Sequence, residues 1–111
     1  MTTTIAEKPT TMAGAIPMTV KAGESFEIKL NENPTTGYSW ALAQLPENFY
    51  LLNELYMPEP HKPGMVGTGG VRLFNFVAVK PKIEGDLLFY LLRPWEPLSP
   101  TEKKDYHVKV S

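Results

Sequence analysis

The sequence predicts an all-β protein with an immunoglobulin-like antiparallel β-sandwich of about seven strands. Two observations carry this prediction. Apolar residues recur at every second position through several short segments, and turn signals rich in glycine or proline separate these segments at regular intervals. No segment shows the periodicity of a long helix. A small β-barrel, which shows the same alternation, is the structural alternative.

Three strands are predicted in the first half of the chain. Residues 18–20 and 25–30 alternate between apolar and polar side chains, as half-buried strands do, and a third alternation starts at Tyr38. Trp40, early in that third strand, can fill the core in the absence of the cysteine pair of antibody domains. Residues 48–57 fit either a strand or a short helix, and the hairpin-rich context favours a strand.

The second half contains the most apolar segments. Residues 71–79 and 86–93 are long, β-branched and aromatic, so we predict two central strands that are buried on both faces. The prolines and glycines of residues 58–70 exclude a regular element, residues 93–104 form another proline-rich loop, and residues 105–110 alternate as a last strand. We assign these aromatic residues to the core: Trp40, Phe74, Phe76, Phe89 and Tyr90.

Composition excludes several classes of function. The net charge is −1 without a basic tract, so we expect no binding to nucleic acid or to anionic membranes. The chain has no cysteine, which excludes disulfides, a cysteine nucleophile and a cysteine zinc site. No apolar run approaches the roughly 20 residues that span a bilayer. We expect no cofactor and no metal.

The length of 111 residues suits a single domain. Residues 1–15 are rich in threonine and lack the basic and apolar regions of a signal peptide, so we expect a mobile tail. Residues 16–111 are expected to form one β-sandwich domain. We expect the protein in the cytoplasm or in a lysosome-like vesicle.

Three connections differ from ordinary turns. "NPTTGY" (33–38) places two uncharged threonines between a proline and a glycine, "GTGG" (67–70) ends the second connection, and "RPW" (93–95) begins the third. The last two connections run to about a dozen residues, whereas hairpins close in two to five. In an immunoglobulin-like strand order the first and third loops lie at the same end, and the Gly-rich loop joins them if residues 48–57 are a strand.

These three motifs, in this order and at this spacing, resemble the signature loops of the chagasin family, protein inhibitors of papain-like cysteine peptidases with an immunoglobulin-like fold. The resemblance covers the chain from residue 16 onward. It implies a reversible, non-covalent, competitive inhibitor and not an enzyme. The implied partners are cathepsin L-like and B-like peptidases, bound in a 1:1 complex by an inhibitor that is monomeric when free.

The resemblance also implies how the loops enter the active-site cleft. Thr35 and Thr36 lie nearest the catalytic cysteine, the Gly-rich loop follows the non-primed side through backbone hydrogen bonds, and Trp95 and Arg93 cover the primed side. The implied peptidase-binding residues are Asn33, Pro34, Thr35, Thr36, Gly37, Tyr38, Val66, Gly67, Thr68, Gly69, Gly70, Arg93, Pro94 and Trp95.

The residue types suit this role. Pro34 fixes φ and Gly37 can adopt φ > 0, which closes a stiff turn. Stiffness helps because each side chain that is frozen on binding costs roughly 0.5–1.5 kcal/mol. The threonine hydroxyls can pair with polar groups of the cleft, and glycines at 69 and 70 let the backbone approach its wall. Trp95 is the expected anchor.

Alternatives exist for each feature. The first loop could be a plain turn whose threonines bond to nearby backbone, and Trp95 could fold back onto the core. The whole protein could be an immunoglobulin-like adhesion module with a partner other than a peptidase. The PxxP segments at 60–63 and 97–100 fit an SH3-type groove, although proline that stiffens long loops explains them better.

An enzyme lacks support in the sequence. A catalytic triad would need His61 or His107 beside Asp86 or Asp105, and no pattern places them together. Glu59 and His61 would supply only two metal ligands on one loop, which makes a poor metal site.

Overall fold

The computed structural model describes residues 14–59, 69–96 and 100–111. Within these ranges the chain forms seven strands and one short 3-10 helix, Pro34–Thr36, and no helix there is long and apolar enough to cross a membrane. The all-β prediction is therefore confirmed. In chain order the strands are β1 (Ala15–Val20), β2 (Ser25–Glu32), β3 (Ser39–Gln44), β4 (Phe49–Pro58), β5 (Gly70–Ala78), β6 (Ile83–Leu92) and β7 (Glu102–Val110).

The strands form two sheets, with the orders β1-β7-β6-β3 and β2-β5-β4. All neighbours are antiparallel except β1, which runs parallel to β7. Alternate side chains from the two sheets meet in a shared core, as in an immunoglobulin-like sandwich. The sandwich prediction holds, and the described strands do not close into the alternative barrel.

Aromatic rings occupy the centre of this core. Phe74 and Phe76 on β5 and Phe89 on β6 are fully buried, and the ring centroids of Phe74 and Phe89 are 4.8 Å apart. Trp40 is buried as predicted. The core assignment of Tyr90 is wrong, because the alternation of β6 turns this side chain to the outer face, where it is half-buried.

The two apolar strands are interior strands, as expected, but apart from the buried Leu73 on the outer face of β5 only one face of each is buried. Along β5, fully buried residues such as Phe74 and Phe76 alternate with half-buried ones such as Asn75, whose amide donates to the Asn53 side chain at 2.6 Å on the outer face. Each sheet packs against a single neighbour, so the outer faces stay in contact with water. The prediction of burial on both faces is wrong for this reason.

Strand boundaries differ from the sequence pattern mainly at β1 and β7. The ambiguous segment 48–57 lies almost entirely in strand β4, Phe49–Pro58, which confirms the favoured interpretation. β1 begins at Ala15, before the alternation at residue 18, and β7 begins at Glu102 and not at Asp105. Pairing of β1 with β7, with Ala15 opposite Asp105, accounts for the first extension. Pairing of residues 102–104 with β6 accounts for the second. Of the tail expected at residues 1–15, residues 1–13 lie outside the described part of the chain.

Candidate functional site

The strand register places the three predicted loops at one end of the sandwich. Glu32 at the end of β2 and Pro58 at the end of β4 both lie opposite Gly70, the first residue of β5. In the other sheet, Ser39 at the start of β3 lies opposite Leu92 at the end of β6. We call this the loop end. It carries the first loop (33–38), the described ends of the Gly-rich loop, Glu59 and Gly69, and the described part of the third loop, residues 93–96, 100 and 101.

The first loop is a 3-10 turn that its own side chains stabilise. The carboxamide oxygen of Asn33 accepts from the backbone N–H of Thr35 at 3.1 Å and from its hydroxyl at 2.7 Å. The Thr36 hydroxyl donates to the Asn33 carbonyl at 2.7 Å, and Gly37 N–H donates to the Pro34 carbonyl at 3.0 Å. Gly37 has φ 82°, the left-handed conformation that the sequence predicted for it.

These hydrogen bonds decide what the loop can offer a partner. Thr35 and Thr36 are exposed at the tip, but each hydroxyl already donates its proton within the loop. A hydroxyl that donates inward still has acceptor lone pairs for an outside donor. The Thr36 oxygen uses one of them for the backbone N–H of Tyr38, at 3.4 Å. The alternative of a turn with locally bonded threonines is therefore correct about the bonding, and the tip is still an exposed, uncharged acceptor surface.

The Gly-rich loop adjoins the first loop on the Asn33 side. A Cβ at Gly69 would lie 3.0 Å from the Glu32 carbonyl and 3.6 Å from the Asn33 Cβ. A Cβ at Gly70 would clash with the Met57 carbonyl and lie 2.6 Å from the Tyr56 hydroxyl. Gly70 is buried, so packing within the sandwich explains this glycine, and only Gly69 belongs to the partly open surface.

The third loop adjoins the first loop on its other side. A Cβ at Gly37 would lie 2.7 Å from Cη2 of Trp95, so the indole ring rests against the bare glycine backbone. The guanidinium of Arg93 lies 4.5 Å from the centre of the Tyr38 ring. Trp95 is 67% exposed, and the alternative in which it folds back onto the core is wrong. The first loop thus lies between the other two.

Arg93, which the resemblance assigned to contact with the peptidase, forms hydrogen bonds within the third loop. Its Nη1 donates to the Glu96 carboxylate at 3.3 Å across the turn that contains Pro94 and Trp95, and the backbone N–H of Glu96 donates to the Arg93 carbonyl at 2.8 Å. The buried Nε has no hydrogen-bond partner among the described residues. This turn fixes the direction in which Trp95 projects.

A buried ion pair beneath the first two loops was not predicted. Glu32 is 4% exposed, and its carboxylate accepts two hydrogen bonds of 2.8 Å from Nε and Nη2 of Arg72. The same carboxylate accepts from the backbone N–H of Trp40 at 2.8 Å. The sequence contained a signal for it. Glu32 continues the inward alternation of Phe26, Ile28 and Leu30, and a buried carboxylate needs a partner.

Several predicted features lie outside the described residues. These are Val66, Gly67 and Thr68 of the Gly-rich motif, His61 with the metal alternative that used it, and all or most of each PxxP segment. Among the residues that the structure does describe, no group of three or more potential ligands could hold a metal ion.

The enzyme alternative needs one correction. The structure does place His107 beside Asp86, with Nδ1 of the imidazole 2.6 Å from the carboxylate. The other ring nitrogen, Nε2, lies 2.6 Å from the carboxylate of Glu84. Hydrogen bonding to Asp86, together with the Glu84 hydrogen bond and both charges, raises the pKa of His107 against the opposing effect of burial. Both nitrogens face carboxylates, so neither is available to activate a hydroxyl.

Comparison with known proteins agrees with the geometry of the loop end. Residues 19–110 match the family described as Chagasin family peptidase inhibitor I42. Amoebiasin-1 of Entamoeba histolytica is 36% identical over 81 residues, which are 72% of this chain and 76% of that protein. Chagasin of Trypanosoma cruzi is 31% identical over 100 residues, 85% of this chain and 88% of that protein.

A solved structure gives the same result for the fold. The cysteine protease inhibitor EhICP2 from Entamoeba histolytica superposes with a TM-score of 0.75 at 26% sequence identity, and the match covers 88% of each chain. The family match spans most of this chain and includes all three loops. The chain therefore belongs to the chagasin family of cysteine peptidase inhibitors, and it is an inhibitor and not an enzyme.

Proposed function

We propose that this protein is a reversible, non-covalent, competitive inhibitor of papain-like cysteine peptidases that inserts its loop end into the active-site cleft. One observation carries the proposal. An uncharged tip of Pro34, Thr35 and Thr36 stands between a glycine backbone at Gly69 and an exposed indole at Trp95. These three surfaces lie side by side, and together they form the ridge that we propose enters the cleft, with the tip at its centre and the flanks along its two sides.

The tip fits the centre of such a cleft. A papain-like active site holds a thiolate beside an imidazolium, and hydrogen-bond donors line the path of the substrate. Thr35 and Thr36 present oxygen lone pairs, since their protons are bonded within the loop. The tip has no charge to desolvate, and its internal bonds leave little conformational entropy to lose on binding.

The two flanks suit the two sides of the cleft. Gly69 accepts a hydrogen bond from Glu59 N–H at 3.1 Å, so the stem of the Gly-rich loop is extended backbone of the kind that pairs with an enzyme strand. Trp95 offers a large apolar surface that is already oriented by the turn at Arg93. Tryptophan is among the residues that most often dominate interface energetics.

Inhibition kinetics test the proposal. We expect the protein to inhibit a papain-like peptidase, such as a cathepsin L-like or B-like enzyme, with an apparent inhibition constant that rises with substrate concentration. Activity should return on dilution, and intact mass should show neither cleavage nor a covalent adduct. Full peptidase activity at micromolar inhibitor would contradict the proposal and favour an adhesion module with another partner.

A matched pair of substitutions tests the loop geometry. Thr35→Arg places a long charged side chain at the tip and should weaken inhibition at least about tenfold, because the cleft would have to accept or desolvate the charge. Thr19→Arg makes the same change at an exposed position of β1 near the opposite end, and should leave inhibition unchanged. Equal effects of the two substitutions would exclude insertion of the first loop.

A further inference from the structure

The Glu32–Arg72 ion pair occupies an unusual position. Among the described residues Glu32 is the only buried charged residue. It is the last residue of β2, directly before the first loop, and Trp40, which donates to its carboxylate, lies just after that loop. The indole N–H of Trp40 donates to the Asn31 carbonyl at 2.8 Å. One carboxylate therefore holds together the entry and the exit of the first loop.

Arg72 connects the same carboxylate to the Gly-rich loop. It lies on β5 two residues after Gly70, where the chain leaves that loop, and its Nη1 donates to Glu54 on β4 at 3.0 Å. Tyr56, also on β4, packs its ring 5.7 Å from the guanidinium. Arg72 lies on β5, which leaves the Gly-rich loop. Its guanidinium bonds on one side to β4, which enters that loop, and on the other side to Glu32 at the base of the first loop.

This arrangement is specific in geometry, and a stable core does not in general need a buried ion pair. Replacing a buried ion pair by apolar side chains of similar volume is often neutral or stabilising, so such a pair is weak evidence for stability. The two parallel N–H···O bonds of an arginine–carboxylate fork do fix distance and direction. Hydrogen bonding to Glu32, with the charges of Glu32 and Glu54, also raises the pKa of Arg72 against the opposing effect of burial.

We propose that the Glu32–Arg72 ion pair is a positioning element for peptidase binding, which sets the spacing between the first loop and the Gly-rich loop. The proposal rests on the proposed inhibitory function for its link to affinity. The pair does not touch the peptidase. It acts through Asn33 and Gly69, which lie side by side directly above it.

A double variant tests the proposal without leaving a charge buried and unpaired. Glu32→Gln keeps an acceptor for the Trp40 N–H, and Arg72→Met keeps most of the side-chain volume. We expect a cooperatively folded protein with a thermal midpoint within about 5 °C of the wild type. Affinity for a papain-like peptidase should fall at least about tenfold, because the loops must then be ordered on binding.

Amide hydrogen exchange of the free protein measures positioning directly. Exchange at Thr36, Gly37 and Glu59, whose N–H groups bond within or beside the two loops, should accelerate at least about tenfold in the double variant. The matched control combines Glu84→Gln with His107→Gln, which removes an ion pair from the outer face of the other sheet. It should change neither these exchange rates nor the affinity.

Each outcome is decisive. Unchanged loop exchange in the double variant overturns the proposal whatever the affinity, and equal loss of affinity in the control shows a general effect and overturns it too. If the wild type inhibits no papain-like peptidase, the proposed function fails, while the exchange rates still decide the positioning role. If the double variant does not fold, Arg72→Lys, which keeps the charge but loses the fork, should give a folded protein whose loop amides exchange faster than those of the wild type. Wild-type rates in that variant overturn the proposal.

Discussion

The two ends of the sandwich are stabilised by different kinds of contact. Opposite the loop end, short turns are joined through backbone hydrogen bonds, such as Gly23 N–H to the Ala78 carbonyl at 2.8 Å and Val79 N–H to the Asn48 carbonyl at 3.0 Å. At the loop end, side chains make many of the contacts that connect one loop or strand end with another, through Glu32, Arg72 and Trp95 among others.

This difference has a consequence for substitutions. A backbone hydrogen bond survives the replacement of most side chains, so the end opposite the loops can vary in sequence while its structure is kept. The contacts of the loop end disappear with the side chains that make them. Substitutions there should therefore change peptidase binding, whereas substitutions at the opposite end should leave peptidase binding unchanged. The following predictions test that contrast, from the largest effect to the smallest.

The largest expected effect is at Trp95. Trp95→Ala should weaken peptidase binding by about 2 kcal/mol or more, mainly through faster dissociation, because the indole supplies the main apolar anchor. The free energy of unfolding should hardly change, since the side chain is 67% exposed. Surface plasmon resonance and denaturant unfolding measure the two quantities.

The control for Trp95→Ala is an exposed aromatic residue away from the loops. Tyr50 is 55% exposed on β4, near the end where that strand follows the short 45–48 turn. Tyr50→Ala should leave the dissociation rate unchanged. If Trp95→Ala binds as tightly as the wild type, the third loop is not an anchor and the functional contrast between the two ends is lost.

A smaller effect on inhibition should distinguish two glycines that share the same backbone conformation. Gly37 and Gly23 have φ of 82° and 83°, and a non-glycine residue costs about 1–2 kcal/mol in this conformation. Gly37→Ala and Gly23→Ala should therefore lower the free energy of unfolding by similar amounts. Only Gly37→Ala should also weaken inhibition, because its Cβ would meet Trp95, whereas nothing lies within 4 Å of a Cβ at Gly23.

The measurement is a comparison of the two variants in unfolding and inhibition assays. Equal loss of affinity in both would mean that the backbone cost, and not the contact with Trp95, governs binding. A loss of stability in Gly37→Ala alone would also contradict the prediction, since the two positions share their conformation.

The smallest expected effect is the pH dependence of stability that comes from His107, which lies in the middle of a sheet, away from both ends. The raised pKa of His107 means that its stabilising contribution is complete below its ordinary value of 6.5 and is lost as pH rises through the raised value. Burial and the charge of Asp86 also raise the pKa of Asp105, although the charge of His107 opposes this, so its carboxyl group loses a proton less readily in the folded protein than in the unfolded chain. Both groups make the fold less stable as pH rises.

Thermal unfolding between about pH 5 and pH 9 measures this dependence. The midpoint should fall with rising pH in the wild type, and His107→Gln should flatten the curve above its ordinary pKa. The groups that face the imidazole are Glu84 and Asp86, with Asp105 close by. Peptidase affinity of the His107 variant, measured at one pH, should match the wild type. A flat wild-type curve would contradict the prediction.

Local patterns were sufficient to predict the architecture of the molecule. Alternation placed Trp40, Phe74, Phe76 and Phe89 in the core, and the turn residues marked the loops. The convergence of the loops followed from an antiparallel sandwich, because such a strand order fixes which connections share an end. The left-handed conformation of Gly37 followed from its place after Pro34 in a tight turn.

Contacts between distant strands were not predictable in the same way. The pairing of His107 with Asp86 depends on the register of β6 against β7, and a shift of a single residue would turn one of the two side chains to the other face. The Glu32–Arg72 pair depends in the same way on the register of β2 and β5. Burial of Gly70 likewise depends on how closely β4 approaches it.

The parallel pairing of β1 with β7 determines how the protein can be attached to a surface. Ala15 lies opposite Asp105, close to the loop end, whereas Ser111 donates its N–H to the Val20 carbonyl at 2.9 Å at the other end. A bulky group joined immediately before Ala15 would crowd the ridge. A tag, resin or sensor chip linked after Ser111 would leave it facing solution, about the length of a strand away.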